Sequence, residues 1–204
     1  MPRILTPHAI EDFRERLSDA AEQLFAEHGP DAVTIRQLAN AVGVSAMTPY
    51  RYFADKDAIL AAVRARAFNR HADALEAAFS AAGEHPTLRR AAVGEAYVAF
   101  AEAHPAAYKL MFDLNQPGSQ RYPDLVAAGE RSRRTMTLAL DETMQAGAAA
   151  QDVEFAGHLY WAAIHGALML ELSGMLGGGI TARALMTPLV AALDRQLGSQ
   201  GAVA

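Results

Sequence analysis

Residues 34–56 carry hydroxyl and basic side chains at a spacing that suits contact with a DNA duplex. Thr34 and Ser45 each stand where a short helix is predicted to begin, and free backbone amides and the helix dipole favour a phosphate there. Arg36 lies in the first turn of the earlier helix, and Lys56 opens a later one. A guanidinium can contact a phosphate or a guanine edge, whereas an ammonium suits a phosphate.

The residues that follow Ser45 are predicted to read bases. Ala46, Met47 and Thr48 present small or apolar groups, which favour contact with thymine methyl groups over bidentate recognition of guanine. Arg51 follows one turn later, and two interpretations stay open for it, a DNA contact or a solvent-exposed salt bridge.

Two tyrosines follow in the same segment. Tyr50 and Tyr52 each offer a hydroxyl at the level of the phosphates. The alternative for either ring is packing in the core, against Phe13 or Phe25.

Three predicted helices position these side chains. The first begins after Thr6-Pro7 and ends at Gly29-Pro30, the second covers 35–41 with Thr34 as its cap, and the third covers 45–53 with Ser45 as its cap. Gly43 supplies the tight turn between the last two, which is the layout of a helix-turn-helix. Pro49 has no amide to donate to the Ser45 carbonyl, so the third helix is expected to start one residue late or as a 3₁₀ turn.

The remaining sequence is helical in pattern and shows no sustained strand alternation. Asp55 caps a long connector helix at 56–82, and further helices are predicted over 87–104 (with Thr87 as its cap), 105–112, 124–146, 153–174 and 182–197. Pro188 is expected to kink the last one. We therefore predict an all-α fold of about nine helices, with a helix-turn-helix domain at 1–55 joined by the connector to a ligand-binding and dimerisation bundle at 56–204.

Composition limits the class of protein. The chain has 204 residues, 51% hydrophobic content, no cysteine and a net charge of −5, yet residues 32–70 hold six basic and two acidic side chains. No catalytic, nucleotide-binding or metal motif is present, so neither an enzyme nor a cofactor is expected. The longest apolar run, 159–170, is too short to span a membrane, and no signal peptide precedes it. A cytoplasmic location follows as the expectation.

The helix at 153–174 is apolar on two opposed faces, and each face must be covered. Small residues on one face suit close approach of a second copy, together with the last helix; the predicted dimer interface is Ala163, Gly166, Ala167, Leu170, Gly174, Leu185, Leu189, Ala192 and Leu193. The alternative is that both faces pack inside one monomer.

Aromatic, methionine and histidine side chains of the bundle form the predicted lining of a small-molecule pocket. These candidates are Tyr97, Phe100, His104, Tyr108, Met111, Phe112, Met136, Trp161, His165 and Met169. Ordinary core packing is the alternative for each of them, and the mostly apolar set suits a hydrophobic or aromatic ligand.

Residues 8–65 resemble the DNA-binding domain of the TetR family of bacterial transcriptional regulators. The resemblance lies in Thr34-x-Arg36, Leu38-Ala39, Gly43-Val44-Ser45, Tyr50-x-Tyr52-Phe53 and Lys56-Asp57. Trp161, His165 and Gly166 also resemble the Trp-His-Gly signature of one C-terminal subgroup. The family resemblance implies a homodimer that binds a palindromic operator as a repressor and releases it when a small molecule enters the bundle.

A second function remains open from the sequence. The chain could be a helical ligand-binding or dimerisation protein whose first three helices contact another protein. A steep salt dependence of binding to duplex DNA would favour the regulator over this alternative.

Overall fold

The computed structural model describes residues 7–113, 119–144 and 150–200. Eight α-helices lie in these ranges: α1 (Pro7–His28), α2 (Ile35–Ala41), α3 (Lys56–Ala81), α4 (Pro86–Ala103), α5 (Pro105–Met111), α6 (Pro123–Asp141), α7 (Ala150–Leu172) and α8 (Ala182–Gln200). Two 3₁₀ helices cover Pro49–Arg51 and Ser119–Arg121. Within the same ranges there is no strand, and the all-α prediction is confirmed. None of these helices combines the length and apolar character needed to cross a membrane.

The chain divides into two compact units. The first comprises Met1–Arg70 and Ala106–Arg131, and the second comprises His71–Pro105 and Ser132–Ala204. The domain boundary predicted between residues 55 and 56 divides the chain by expected function, whereas these two units are compact bodies in space. That boundary stays a prediction.

One apolar core joins the first three helices of the first unit. On α1, Phe13, Leu17 and Phe25 recur at a spacing of four or eight residues, so they lie on one side of the helix and are buried. Leu38 of α2 and Ile59 of α3 are fully buried in the same cluster. These three helices therefore share one core, and the chain between α2 and α3 is fixed at both ends.

Local hydrogen bonds set both ends of α2. At its start, the Thr34 hydroxyl accepts from the Gln37 amide at 3.3 Å, and the Gln37 side chain accepts from the Thr34 amide at 2.8 Å. This reciprocal pair is a capping box, so Thr34 is confirmed as the cap. At its end, Gly43 has φ of 72°, a left-handed conformation that lets the Val44 amide donate to the Ala39 carbonyl at 3.0 Å.

The helix predicted over 45–53 is wrong in its extent, because only Pro49–Arg51 is helical, as a 3₁₀ turn. The Thr48 amide donates to the Ser45 carbonyl at 2.9 Å, and the Arg51 amide donates to the Thr48 carbonyl at 3.1 Å. Both bonds span three residues, since Pro49 cannot donate the four-residue bond back to Ser45. The 3₁₀ turn expected from Pro49 is confirmed.

The predicted cap at Ser45 is also wrong. Its hydroxyl lies 3.0 Å from the Thr48 hydroxyl, and no helix begins at this position. By contrast, Asp55 accepts from the Ala58 amide at 2.7 Å and caps α3 as expected.

Three further boundaries differ slightly from the predictions. Helix α4 begins at Pro86 after His85, so Thr87 is not its cap. Helix α6 ends at Asp141, and the last two residues predicted for it, 145–146, lie outside the described residues. Helix α7 begins at Ala150, earlier than predicted. Pro188 lies inside α8, and its kink stays a prediction.

The second unit consists of α4, α7 and α8 together with the C-terminal parts of α3 and α6. On α4, Val93, Tyr97 and Val98 are buried, and on α7 Ile164 and Leu168 are buried. Phe100 and His71 are buried in the same unit, and the packing leaves the cavity described below.

Gly43→Ala is expected to lower the free energy of unfolding by about 1 kcal/mol, because a Cβ in the left-handed region meets the following carbonyl. Nothing else lies within 4 Å of the added atom, so backbone strain is the sole cost. Urea unfolding of the variant measures the change. Gly129→Ala is the control, since its site inside α6 is equally open without the positive φ and alanine favours a helix. Equal effects in the two variants would contradict the strain.

Candidate nucleic-acid interface and ligand cavity

The segment between α2 and α3 presents one exposed side. Met47 and Tyr50 are 70% and 50% exposed, unusual fractions for large apolar or aromatic side chains. Ser45, Ala46 and Arg51 are also exposed, whereas Thr48 is half-buried. On the inner side, Pro49 and Phe53 are buried. The predicted base-reading residues thus lie on a surface whose reverse side is anchored in the core.

The two tyrosines differ in their surroundings. The ring of Tyr52 packs against Phe13 with centroids 4.3 Å apart, so the core contact considered for it is present. Tyr50 is exposed and has its ring on the outer side. Of the two hydroxyls, that of Tyr50 is better placed for a partner outside the chain.

The start of α2 combines free amides with a guanidinium. Thr34 uses both its hydroxyl and its amide in the capping box, and the Gln37 amide is also engaged. By helix geometry, the amides of Ile35 and Arg36 are those left to meet a phosphate. The Arg36 side chain is exposed beside them.

Lys56 connects the start of α3 to the loop before α2 through hydrogen bonds. Its ammonium donates to the Pro30 carbonyl at 2.7 Å and lies 3.4 Å from the Asp31 carbonyl. Carbonyl groups do not neutralise the charge, and an ammonium has three donors. Lys56 can therefore hold the loop and still contact a phosphate.

Four of the six basic residues counted between 32 and 70, Lys56 included, have partners inside the first unit, and two of these four are neutralised by carboxylates. Arg66 forms an ion pair with Asp19 at 2.7 Å, and Arg70 forms one with Glu22 at 2.8 Å. Arg64 donates to a backbone carbonyl of α5 at 2.9 Å. The local basic excess read from the sequence is therefore an overestimate of the charge that DNA could meet.

A cavity of about 450 Å³ lies within the second unit, in the size range of small-molecule sites. Most of its wall is apolar. Helices α4, α6, α7 and α8 supply that wall, through Thr87, Arg90, Ala91, Val93, Gly94, Glu95, Tyr97, Met136, Ala139, Leu140, Gly157, Tyr160, Ile164, Met186, Thr187, Val190, Ala191 and Asp194.

One polar cluster on this wall consists of Arg90, Tyr160 and Asp194. The Arg90 guanidinium donates to both carboxylate oxygens of Asp194, at 2.5 and 3.1 Å, and to the Tyr160 hydroxyl at 2.9 Å. The Tyr160 hydroxyl in turn donates to Asp194. Burial, reinforced by that bond, raises the pKa of Tyr160 to about 12, and the hydrogen bond from Arg90 lowers the pKa of Asp194. The cluster thus holds a neutral phenol beside a charge-balanced ion pair.

The predicted ligand residues are distributed over both units. Tyr97 and Met136 line the cavity, and Trp161 donates from its indole to the Tyr97 hydroxyl at 3.0 Å. The others lie elsewhere: Phe100 is buried, His104 is exposed, His165 and Met169 are half-buried on α7, and Tyr108, Met111 and Phe112 belong to the first unit. Their role in ligand binding stays a prediction.

The predicted dimer residues are partly exposed in the single chain. Leu170 and Leu189 are 42% and 40% exposed, and Gly174 and Ala192 are also exposed. Ala167 is buried, and the remaining four are half-buried, namely Ala163, Gly166, Leu185 and Leu193. Exposed leucines on α7 and α8 are compatible with a contact to a second copy.

A buried histidine also lies in the second unit. His71 is fully buried, its Nδ1 is 2.7 Å from the Ser132 hydroxyl, and its ring meets those of Tyr97 and Phe100 edge to face. Burial lowers the pKa of His71 to about 4, so the ring is neutral at pH 7.

Sequence reasoning missed the polar cluster of the cavity. Arg90 and Asp194 stand near the ends of two different helices, and Tyr160 precedes a tryptophan that attracted the ligand prediction. A charged residue among apolar neighbours on α8 was the available signal. The prediction that α8 forms only the dimer interface leaves Asp194 out of the candidate ligand residues.

Residues 17–63 match the family described as bacterial regulatory proteins, tetR family, and residues 90–193 match the tetracyclin repressor-like C-terminal domain. Together these matches cover most of the chain. The chain therefore belongs to the TetR family of bacterial regulatory proteins, with a helix-turn-helix domain at its N-terminal end.

Individual relatives agree with this assignment. The chain is 36% identical over 63 residues to the HTH-type transcriptional repressor Rv1474c of Mycobacterium tuberculosis (strain ATCC 25618 / H37Rv), which covers 31% of this chain and 33% of that protein. The match thus spans a third of that curated relative's length.

Solved structures extend the likeness to nearly the whole chain. A protein with unknown function from Rhodococcus sp. RHA1 is 31% identical, with a TM-score of 0.72 over 90% of this chain and 94% of that one. The TetR family transcriptional regulator PfmR from Thermus thermophilus shares the fold, with 21% identity and a TM-score of 0.62 over 89% of this chain and 97% of that one.

Acidification between about pH 6.5 and pH 4 is expected to destabilise the chain through His71. In this window the unfolded chain binds a proton that the folded chain excludes. The free energy of unfolding therefore decreases as the pH decreases, and the loss is complete near pH 4. The shift corresponds to about 3 kcal/mol. Urea unfolding from pH 7 to pH 4 should show that much less acid sensitivity in His71→Gln.

His104→Gln is the control for this measurement, because His104 is exposed in the same unit. It should keep the wild-type pH dependence. A His71→Gln curve parallel to the wild-type curve would contradict the interpretation.

Proposed function

We propose that this chain is a DNA-binding transcriptional repressor that acts as a homodimer on a palindromic operator and is released by a small hydrophobic or aromatic molecule. The observation that carries the proposal is the exposed side of residues 45–51, backed by buried Pro49 and Phe53. Because its inner side is buried, this surface can enter a major groove without a further loss of conformational entropy.

The contacts divide into positioning and reading. The amides at the start of α2, with Arg36, Tyr50 and Lys56, supply phosphate contacts that fix orientation. Ala46 and Met47 present apolar groups to base edges, where thymine methyls are the complementary feature. Because residues 45–51 form only a small base-reading surface, two copies of it are required, at a separation near one turn of DNA, about 34 Å.

Dimerisation is assigned to α7 and α8 of the second unit. Leu170 and Leu189 are exposed leucines on these helices, and small residues nearby permit close approach of a partner helix. A symmetric pair places the same patch on both sides of the contact.

Release is assigned to the cavity of the second unit. Helix α3 begins in the first unit and continues beyond Arg70 into the second, so one continuous element serves both. A ligand that binds more tightly to one separation of the two base-reading surfaces shifts the population toward that separation. The free energy of operator binding then changes by the coupling free energy between the two sites.

A second candidate is a ligand-binding protein whose N-terminal helices contact a protein. The exposure of Met47 and Tyr50 favours it, because methionine and tyrosine are common in protein interfaces. Salt separates the two functions. Duplex binding that weakens steeply as salt rises supports the repressor, and its absence supports the protein partner.

Selection of duplexes from a random pool tests the DNA contacts. Met47→Ala is expected to change base preference at particular positions, because it removes an exposed apolar contact. Lys56→Met should weaken all sequences about equally and lower the slope of log K against log salt by about one. Affinity is measured on the selected operator and its point variants over a range of salt.

Lys109→Met is the control for this series, since Lys109 is exposed on α5 and has no assigned role. It should leave both quantities unchanged. If Met47→Ala weakens all sequences equally, the base contact assigned to Met47 is contradicted. If the salt slope is unchanged in Lys56→Met, the phosphate contact assigned to Lys56 is contradicted.

Leu170→Glu is expected to convert the dimer to a monomer, because a buried carboxylate without a partner costs several kcal/mol at an interface. Sedimentation equilibrium measures the mass, and operator affinity should fall with it. Leu88→Glu provides the control, as Leu88 is exposed on α4. A dimer that survives Leu170→Glu would place the interface elsewhere.

A further inference from the structure

The chemistry of the effector can be argued from the charges on the cavity wall. The wall carries one cation, Arg90, and two carboxylates, Asp194 and Glu95. Glu95 accepts from Arg183 at 2.7 and 2.8 Å, and Asp194 accepts from Arg90. Arg183 is shared between Glu95 and Glu102, whereas Asp194 has Arg90. Arg90, the cation of the wall, is therefore already engaged and is not free to bind an anionic ligand.

The hydrogen bonds of the Arg90, Tyr160 and Asp194 cluster leave acceptor capacity. One oxygen of Asp194 accepts from both Arg90 and Tyr160, whereas the other accepts from Arg90 alone. The Tyr160 oxygen accepts one bond from Arg90. Since each of these oxygens offers two lone pairs, the second Asp194 oxygen and the Tyr160 oxygen each retain one acceptor site.

A charged ligand is disfavoured at this cluster. A carboxylate would either lie beside Asp194 or displace it from Arg90, and displacement leaves a carboxylate without its partner. An ammonium at the free acceptor sites would lie beside the Arg90 guanidinium, which repels it. Burying a charge without a partner is costly, whereas a hydroxyl can donate to the free acceptor sites at little cost.

We propose that the cavity takes an uncharged, mainly apolar molecule that carries one hydroxyl-type donor, and that the Arg90–Asp194 pair excludes carboxylates. The proposal rests on the proposed function in that such a molecule is the effector. The apolar part of the wall supplies affinity, the free acceptor sites orient the hydroxyl, and the ion pair supplies selectivity.

Three probes with one alkyl chain test the head group, namely octan-1-ol, octanoate and octylammonium. The single tryptophan, Trp161, donates to Tyr97 on the cavity wall, so its fluorescence reports occupancy. Octan-1-ol is expected to bind at least about tenfold more tightly than either charged probe, since tenfold is the equivalent of about 1.4 kcal/mol. Comparable binding of all three, tighter binding of a charged probe, or no binding of octan-1-ol overturns the proposal.

Asp194→Asn should reverse the selectivity. The variant leaves Arg90 charged and without its carboxylate, and a guanidinium fork then binds octanoate in place of Asp194. Octanoate affinity is expected to rise at least about tenfold, the scale of one charge-assisted hydrogen bond. The control is Glu142→Gln, which breaks the Arg89–Glu142 pair at 2.7 Å, outside the cavity wall, and should leave all three affinities unchanged.

The double variant Arg90→Gln/Asp194→Asn keeps the test decisive if the single variant fails to fold. It removes both charges together, so octan-1-ol should stay the preferred probe and octanoate should gain nothing. A gain of octanoate affinity in the double variant, or its absence in a folded Asp194→Asn variant, overturns the role of the ion pair.

Duplex binding of the same preparations, measured without any probe, separates this proposal from the function it rests on. Salt-dependent DNA binding together with failed head-group selectivity removes the effector class and leaves the repressor intact. Head-group selectivity in a chain that binds no duplex supports the cavity chemistry and removes the repressor.

Discussion

The burial of Leu38, Phe53 and Ile59 in one cluster is the constraint on which the N-terminal unit depends. Two of these residues lie on α2 and α3, and Phe53 lies in the chain between them. Each buried side chain of this size contributes about 2 kcal/mol. Because the connecting chain is anchored at Phe53, the outer side at Met47 and Tyr50 has a fixed position without extensive helical structure of its own.

Ion pairing decides where charge is available. Arg66 and Arg70 look like cations for DNA in the sequence, but carboxylates of α1 neutralise them. The same pattern recurs in the second unit, where Arg90 and Arg183 each bind carboxylates through more than one nitrogen. Arginine suits these pairs because its planar fork matches a carboxylate. A charge sum over a sequence window therefore overestimates the field at a surface.

Local signals in the sequence allowed much of the fold to be predicted, whereas contacts between distant residues could not be predicted. The capping box at Thr34 and the turn at Gly43 depend on residues within five positions, and Pro49 alone indicated the 3₁₀ turn. The cavity cluster joins Arg90 to Tyr160 and Asp194, which lie 70 and 104 positions away. A single sequence does not show which distant residues pair. The candidate ligand residues therefore follow the aromatic pattern, and of these candidates only Tyr97 and Met136 line the cavity.

The bond from Lys56 to the Pro30 carbonyl has a practical consequence for chemical labelling. The chain has two lysines, and carbonyl groups hold the ammonium of this one, whereas Lys109 is exposed on α5. An amine-directed reagent must first break the bonds of Lys56 before it can acylate that nitrogen. Among the lysines, coupling to a dye or a sensor surface is therefore directed to Lys109, and residues 45–51 stay unmodified.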